Sequence, residues 1–109
     1  MNRTEEIELL EQLEQWNSKD EYSQCIRAIE AIPEQERGYL LTVKLSRAYS
    51  NLAVLGDHGE HGTDSEVDGN LIQHAIRLLE SVRTQGENDP YWNARMGYSC
   101  LMAYRSAAS

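Results

Sequence analysis

The chain of 109 residues carries 18 acidic and 10 basic side chains, a net charge of −8, and 40% of its residues are hydrophobic. This length suits one domain, and the composition is typical of a folded chain rather than a disordered one. No apolar run approaches the roughly 20 residues of a membrane span, and the acidic N-terminus lacks the apolar stretch of a signal peptide. We therefore expect a cytoplasmic protein that does not bind membranes.

The negative charge is unevenly distributed. Residues 1–37 contain ten acids and four bases, residues 56–70 contain five acids and no base, and residues 38–55 contain two bases and no acid. An acidic surface repels phosphate, so we expect no binding to nucleic acid. The acidic segment 1–37 suggests one candidate role, that of an immunity-like or antitoxin-like protein that neutralises a basic partner.

The first part of the chain has the apolar spacing of two helices, and no segment has the alternation of a strand. Leu13 and Trp16 lie on the apolar face of the first helix. Ser18 and Glu21 fit a capping box at the start of the second helix. Pro33 ends that helix, because its ring blocks the continuing hydrogen bond. These two helices form hairpin 1, at about 4–32.

The rest of the chain has the spacing of three more helices. A third helix is predicted from about 37 to 54 and a fourth from near Val67 to Gly86, and together they form hairpin 2 at about 37–85. Asp89 and Pro90 supply an N-cap and a first helical position for an extra helix at about 90–106. The prediction is therefore one all-α domain, 1–109, with about five helices.

The two hairpins are similar to each other. Leu13 aligns with Ser46 at an offset of 33 residues, whereas Cys25 aligns with Ala75 at an offset of 50. The second hairpin is therefore longer by about 17 residues. The extra residues fall in its turn, around an inserted loop at 55–66.

Four segments of the chain resemble tetratricopeptide-repeat (TPR) proteins, whose unit is a helical hairpin of about 34 residues. "KDEYSQCI" resembles the family's turn into its second helix, with Cys25 at the small-residue position, and "HAI" puts Ala75 at the equivalent position. "LSRAYSNL" puts Tyr49 at the family's tyrosine, and "DPYWNARMGYS" puts Met96-Gly97 at its Leu-Gly pair. The resemblance implies antiparallel hairpins stacked as a short TPR-like α-solenoid. An unrelated five-helix bundle is the alternative.

The resemblance also implies a binding site, because the first helices of TPR-like hairpins line a concave groove that receives an extended peptide. Six polar residues would face or flank this groove: Asn17, Lys44, Arg47, Asn51, Arg95 and Tyr98. Guanidinium, amide and phenol groups can grip a peptide backbone or carboxylate, although an ordinary solvated helix face is the alternative. We therefore expect a non-catalytic module that binds a protein or peptide, chiefly through Arg47, Asn51 and Tyr98.

The last helix has no second helix to complete a hairpin. Its face with Met96, Leu101, Met102 and Tyr104 would be partly uncovered, whereas terminal repeats normally need a polar cap. We therefore expect either a longer repeat array or a homodimer formed through this helix.

His58 and His61, among several acids of the inserted loop, are the candidates for a metal site or an enzymatic site. Nearby glycines favour a solvated loop instead, because ordering it around a metal costs entropy. No Walker A loop, GxGxxG or GxSxG is present, so we expect neither an enzyme nor a cofactor. Cys25 and Cys100 sit in apolar patterns and are predicted to be buried free thiols.

Overall fold

The computed structural model describes residues 1–61 and 66–108, and all regular structure in these ranges is helical. Its α-helices are α1 (Arg3–Ser18), α2 (Tyr22–Glu30), α3 (Gly38–Leu55), α4 (Gly69–Glu80), α5 (Arg83–Gly86) and α6 (Pro90–Ala108), with 3-10 turns at Glu34–Glu36 and Asp57–Gly59. The all-α prediction is confirmed. Residues 62–65 of the predicted inserted loop lie outside the described residues. None of the helices in the described ranges is both long enough and apolar enough to cross a bilayer.

Three of the helices are capped at their N-termini by side chains that are near in sequence. Asn2 and Glu5 form a capping box at α1, and the Asp68 carboxylate accepts hydrogen bonds from two backbone N–H groups of α4. At α6 the Asp89 carboxylate accepts from the N–H of Tyr91 at 3.0 Å. The predicted start of the last helix at Asp89-Pro90 is therefore confirmed.

The capping box predicted from Ser18 and Glu21 is wrong. Ser18 is the last residue of α1, and its hydroxyl donates to the carbonyl of Gln15. The start of α2 is capped instead by a residue distant in sequence, since the Asp57 carboxylate accepts from the N–H of Ser23 at 2.9 Å. Local sequence spacing cannot reveal a cap that comes from after α3.

The first residues of the inserted loop lie against hairpin 1. Beside the Asp57–Ser23 hydrogen bond, the N–H of His58 donates to the carbonyl of Asp20 at 2.7 Å. Asp20 and His58 both have positive φ angles, of 57° and 56°, which are uncommon for residues other than glycine. The two tight turns therefore meet, and hydrogen bonds tie them together.

Each hairpin has a close contact between its two helices at residues that the sequence alignment pairs. In hairpin 1 the Cys25 thiol lies 3.6 Å from the carbonyl oxygen of Leu13. In hairpin 2 the Ser46 hydroxyl donates to the carbonyl of Ala75 at 2.8 Å. Helices approach closely where side chains are small, which explains Cys25, Ser46 and Ala75 at these contacts.

The predicted fourth helix is in fact two helices. α4 ends at Glu80, and α5 begins at Arg83. The Trp92 ring of α6 is buried next to Gly86, and its Nε1–H donates to the carbonyl of Leu79 at 3.0 Å. The break therefore lies where the end of hairpin 2 packs against the large ring of the last helix.

Helices α1, α3 and α6 run in the same direction. Contacts between α1 and α3 join residue 14 to 44 and residue 17 to 51, so both numbers rise together. Between α3 and α6 the contacts also rise together along both helices. They are Tyr39 with Asp89 just before α6, Lys44 with Tyr91, and Ser50 with Arg95. The parallel order fixes which residues of the three helices lie at the same level.

The outer face of α6 has no neighbouring helix among the described residues. Leu101 and Tyr104 are 56% and 73% exposed, whereas Met102 is buried against α3 and α4. Cys25 is buried as predicted, but Cys100 is exposed. The prediction for Cys100 is wrong because this thiol lies on the uncovered side of its helix.

Candidate binding site

Polar side chains from α1, α3 and α6 meet on one face, which we call the α1–α3–α6 face. On α3, Lys44, Arg47 and Asn51 are spaced by three and four residues, and this spacing puts them on one side of a helix. Asn17 of α1 and Arg95 of α6 reach the same side from the two neighbouring helices. Tyr98 lies against Arg95, so the six residues predicted for the site are brought together.

Glu14 bridges two of the basic residues on this face. Its Oε1 lies 2.9 Å from Nζ of Lys44 and 3.0 Å from a terminal nitrogen of Arg47. Partial burial alone would raise the pKa of Glu14, but the hydrogen bond from Lys44 and the charge of Arg47 outweigh it and lower this pKa. Sequence reasoning missed Glu14, although it lies one turn before Asn17 and hence on the same side of α1.

A chain of hydrogen bonds crosses the three helices. The side-chain amide of Asn51 donates to Oδ1 of Asn17 at 3.2 Å, and a terminal nitrogen of Arg95 donates to Oδ1 of Asn51 at 3.3 Å. The same nitrogen of Arg95 also donates to the hydroxyl of Ser50 at 2.5 Å. These bonds hold the Arg95 guanidinium in a defined place between α3 and α6.

Two tyrosine rings lie beside the cations. The Arg95 guanidinium carbon is 4.8 Å from the centre of the Tyr98 ring, and Nζ of Lys44 is 5.0 Å from that of Tyr91. Such cation–π contacts are favourable and restrict the orientation of both groups. Tyr91 was not predicted, and its position one turn before Arg95 is the signal that would have revealed it.

Positive charge on this face exceeds the negative charge that faces it. Lys44 and Arg47 share the carboxylate of Glu14, whereas Arg95 has no carboxylate partner among the described residues. The Nε–H groups of Arg47 and Arg95 are buried without an acceptor there. Burial lowers the pKa of Arg95, and the charge of Arg47 acts in the same direction. An anion placed at this face would stabilise both guanidinium groups.

The two loop histidines have different surroundings. His58 is exposed, and its backbone has a left-handed conformation. His61 is half-buried, and its ring lies so close to Gly56 that a Cβ there would come within 2.8 Å of it. In the described residues, no three His, Cys, Asp or Glu side chains are grouped so as to hold one metal ion.

A cavity of about 500 Å³ lies elsewhere, beside the turn that leads into α3 and the end of α4. Tyr39, Leu78 and Val82 give it apolar walls, and Glu34 and Arg37 line it with opposite charges. The hydroxyl of Tyr39 already donates to Asp89. The lining therefore favours no one ligand chemistry, unlike the cations of the α1–α3–α6 face.

No protein-family model, no curated protein and no solved structure matches the chain. The six residues predicted for the site, together with Glu14 and Tyr91, form a surface whose chemistry suits an anionic group.

Proposed function

We propose that the chain is a non-catalytic protein-interaction module whose α1–α3–α6 face binds an acidic peptide or protein segment. The observation that carries this proposal is the Arg95 guanidinium. It is held by Ser50 and Asn51, lies near Arg47, and has no carboxylate partner among the described residues. A carboxylate of the partner would supply the missing negative charge.

The energetics favour a carboxylate over other groups. A hydrogen bond to a charged partner contributes about 1.5–3 kcal/mol, roughly twice the contribution of a neutral one. Arg95 is already oriented by its hydrogen bonds and by the Tyr98 ring, so little side-chain entropy is lost on binding. A backbone carbonyl could use the same donors, but it would not neutralise the neighbouring cations.

The arrangement of the helices supports a TPR-like solenoid as the architecture of this module. The two close helix contacts, Leu13–Cys25 and Ser46–Ala75, lie at equivalent places in the two hairpins. The first helix of each hairpin and α6 run in the same direction and share one face. This is the face that receives peptides in the family that the sequence resembles.

Fluorescence anisotropy with labelled peptides tests the proposal. A Gly-Ser peptide that contains glutamates should bind, whereas the same peptide with glutamines should not. Replacing Arg95 by glutamine should weaken binding about tenfold, since one charged hydrogen bond is lost. Arg77→Gln removes an equal charge from an exposed position on α4 and is the control. Equal binding of the glutamate and glutamine peptides would refute the proposal.

A second candidate function uses the outward side of α1. Glu5, Glu8 and Glu11 are exposed there, within the acidic segment 1–37. These carboxylates would suit a basic partner, as in an immunity-like or antitoxin-like protein. Binding of such a partner should weaken steeply with salt and on charge reversal of Glu8 and Glu11, but not on Arg95→Gln. If binding of a basic partner is unchanged by these charge reversals, the second candidate function is excluded.

A further inference from the structure

Three large apolar side chains are exposed on the α1–α3–α6 face. Ile7 of α1, Leu40 of α3 and Tyr91 of α6 are 46%, 40% and 36% exposed. Leu40 lies four residues before Lys44, and Tyr91 lies four residues before Arg95, so each shares its helix side with a cation of the face. We call Ile7, Leu40 and Tyr91 the apolar row.

The parallel order of the helices puts the apolar row at one end of the face. Ile7 lies seven residues, or two turns, before Glu14, which contacts Lys44 of α3. Leu40 is one turn before Lys44, and Tyr91 itself lies against Lys44. All three therefore lie toward the N-terminal ends of their helices, and the cations lie further along.

Folding alone does not explain this row. Large apolar side chains gain free energy from burial, and the core residues next to the row on α3, Leu41 and Val43, are almost fully buried. A cavity of about 290 Å³ adjoins the row on α1, where Arg3, Glu6, Ile7 and Leu10 line it. Large apolar side chains that are exposed beside charged residues are a feature of binding surfaces.

We infer that the apolar row receives a bulky aliphatic or aromatic side chain of the same peptide whose carboxylate reaches Arg95. This inference rests on the proposed function, because it assigns a second contact of one bound peptide. The partner is then an extended segment in which an acidic residue and a large apolar residue occur at a fixed spacing.

The helix geometry sets that spacing. Tyr91 lies four residues before Arg95, and Leu40 lies ten before Ser50, which Arg95 contacts, so the two separations are about 6 and 15 Å along the helix axes. An extended peptide advances about 3.3 Å per residue, so the apolar residue is two to five positions from the acid. Lysine or arginine between them is disfavoured, because Lys44 lies between the row and Arg95.

The test uses labelled Gly-Ser peptides that carry one glutamate and one leucine, with the spacing between the two varied residue by residue. Binding is measured by fluorescence anisotropy against a matched peptide without leucine. The leucine should increase affinity about tenfold at a spacing between two and five and little when the residues are adjacent. Leu40→Ser should remove this increase, whereas Leu101→Ser, at a leucine that is also exposed but lies on the outer side of α6, should preserve it.

The possible results separate this inference from the proposed function. If the glutamate peptide binds equally well with and without leucine, the apolar row is not a peptide contact, but the carboxylate site stands. If no glutamate peptide binds, both proposals fail. A second copy of the chain is the other possible occupant of the apolar row, and sedimentation of the free chain tests for it. A dimer that Leu40→Ser dissociates would show that a second copy covers the row, and it would overturn the inference.

Discussion

Replacing Gly86 by alanine tests the packing of α6 against the end of hairpin 2. Gly86 has no positive φ and is the last residue of α5, so helix propensity alone predicts that alanine stabilises the protein by up to about 1 kcal/mol. The residues packed around Gly86 predict instead that alanine destabilises the protein. A Cβ at this position would lie 2.3 Å from two atoms of the Trp92 ring.

The ring cannot move without cost. Trp92 is buried, and its Nε1–H donates to the carbonyl of Leu79 at 3.0 Å. Overpacking of this kind costs about 1–3 kcal/mol, and loss of the indole hydrogen bond adds about 1 kcal/mol. Together these costs exceed the propensity gain of up to about 1 kcal/mol, so we expect Gly86→Ala to lower the free energy of unfolding by about 1–3 kcal/mol.

Gly97→Ala is the matched control. Gly97 lies inside α6, and a Cβ there would meet no atom within 4 Å. Only helix propensity acts at this position, so alanine should stabilise the protein by about 0.5–1 kcal/mol. Urea titrations followed by circular dichroism give both values, and thermal midpoints should shift by about 4 °C per kcal/mol. A Gly86→Ala protein as stable as the wild type would refute the packing of Trp92 described above.

Three further predictions concern the loop contact, the thiols and the α1–α3–α6 face. Asp57→Ala should lower the free energy of unfolding by about 1 kcal/mol at neutral pH, through loss of the α2 cap. Hydrogen bonds from the start of α2 lower the pKa of Asp57 despite its partial burial. In urea titrations the destabilisation by Asp57→Ala should therefore become smaller as the pH falls through that pKa, and a destabilisation that does not change with pH would contradict this prediction. A thiol reagent should label Cys100 in the native protein and Cys25 only on unfolding, because burial raises the pKa of Cys25 to about 11; mass spectrometry that finds both labelled at one rate would be inconsistent with this. Glu14→Gln should tighten binding of a glutamate peptide severalfold by removing a competing carboxylate, and Glu8→Gln, on another side of α1, is the control that should leave binding unchanged. Weaker binding by Glu14→Gln would show that Glu14 positions the cations instead.

Helical periodicity and repeat alignment predicted much of the fold. The start of α6 at Asp89-Pro90 and the close helix contact at Ala75 follow from local signals, namely a capping residue with proline and a small residue inside an apolar stripe. Among the residues predicted for the site, Lys44, Arg47 and Asn51 share one side of α3 because spacing of three and four residues fixes the side of a helix. Their role in binding stays a prediction.

The features that sequence reasoning missed depend on how helices fit together. The cap of α2 by Asp57 comes from 34 residues further along the chain, and no local pattern predicts such a contact. The contacts of Glu14 with Lys44 and Arg47 depend on how α1 and α3 are aligned with each other. The spacing of residues within one helix cannot predict that alignment. The exposure of Cys100 follows from the lack of a neighbouring helix on that side of α6, and an apolar stripe alone cannot reveal it.

The contact of Asp57 and His58 with hairpin 1 has a consequence for the order of folding. The α2 cap forms only after α3 has been synthesised and the chain has turned back, so a nascent chain that ends before residue 57 lacks it. Closing this loop costs entropy before the cap contributes stability. The first 36 residues, expressed as a peptide, should therefore be less helical than the same residues in the whole chain. All residues of hairpin 1 are therefore synthesised before the α2 cap supplied by Asp57 can form.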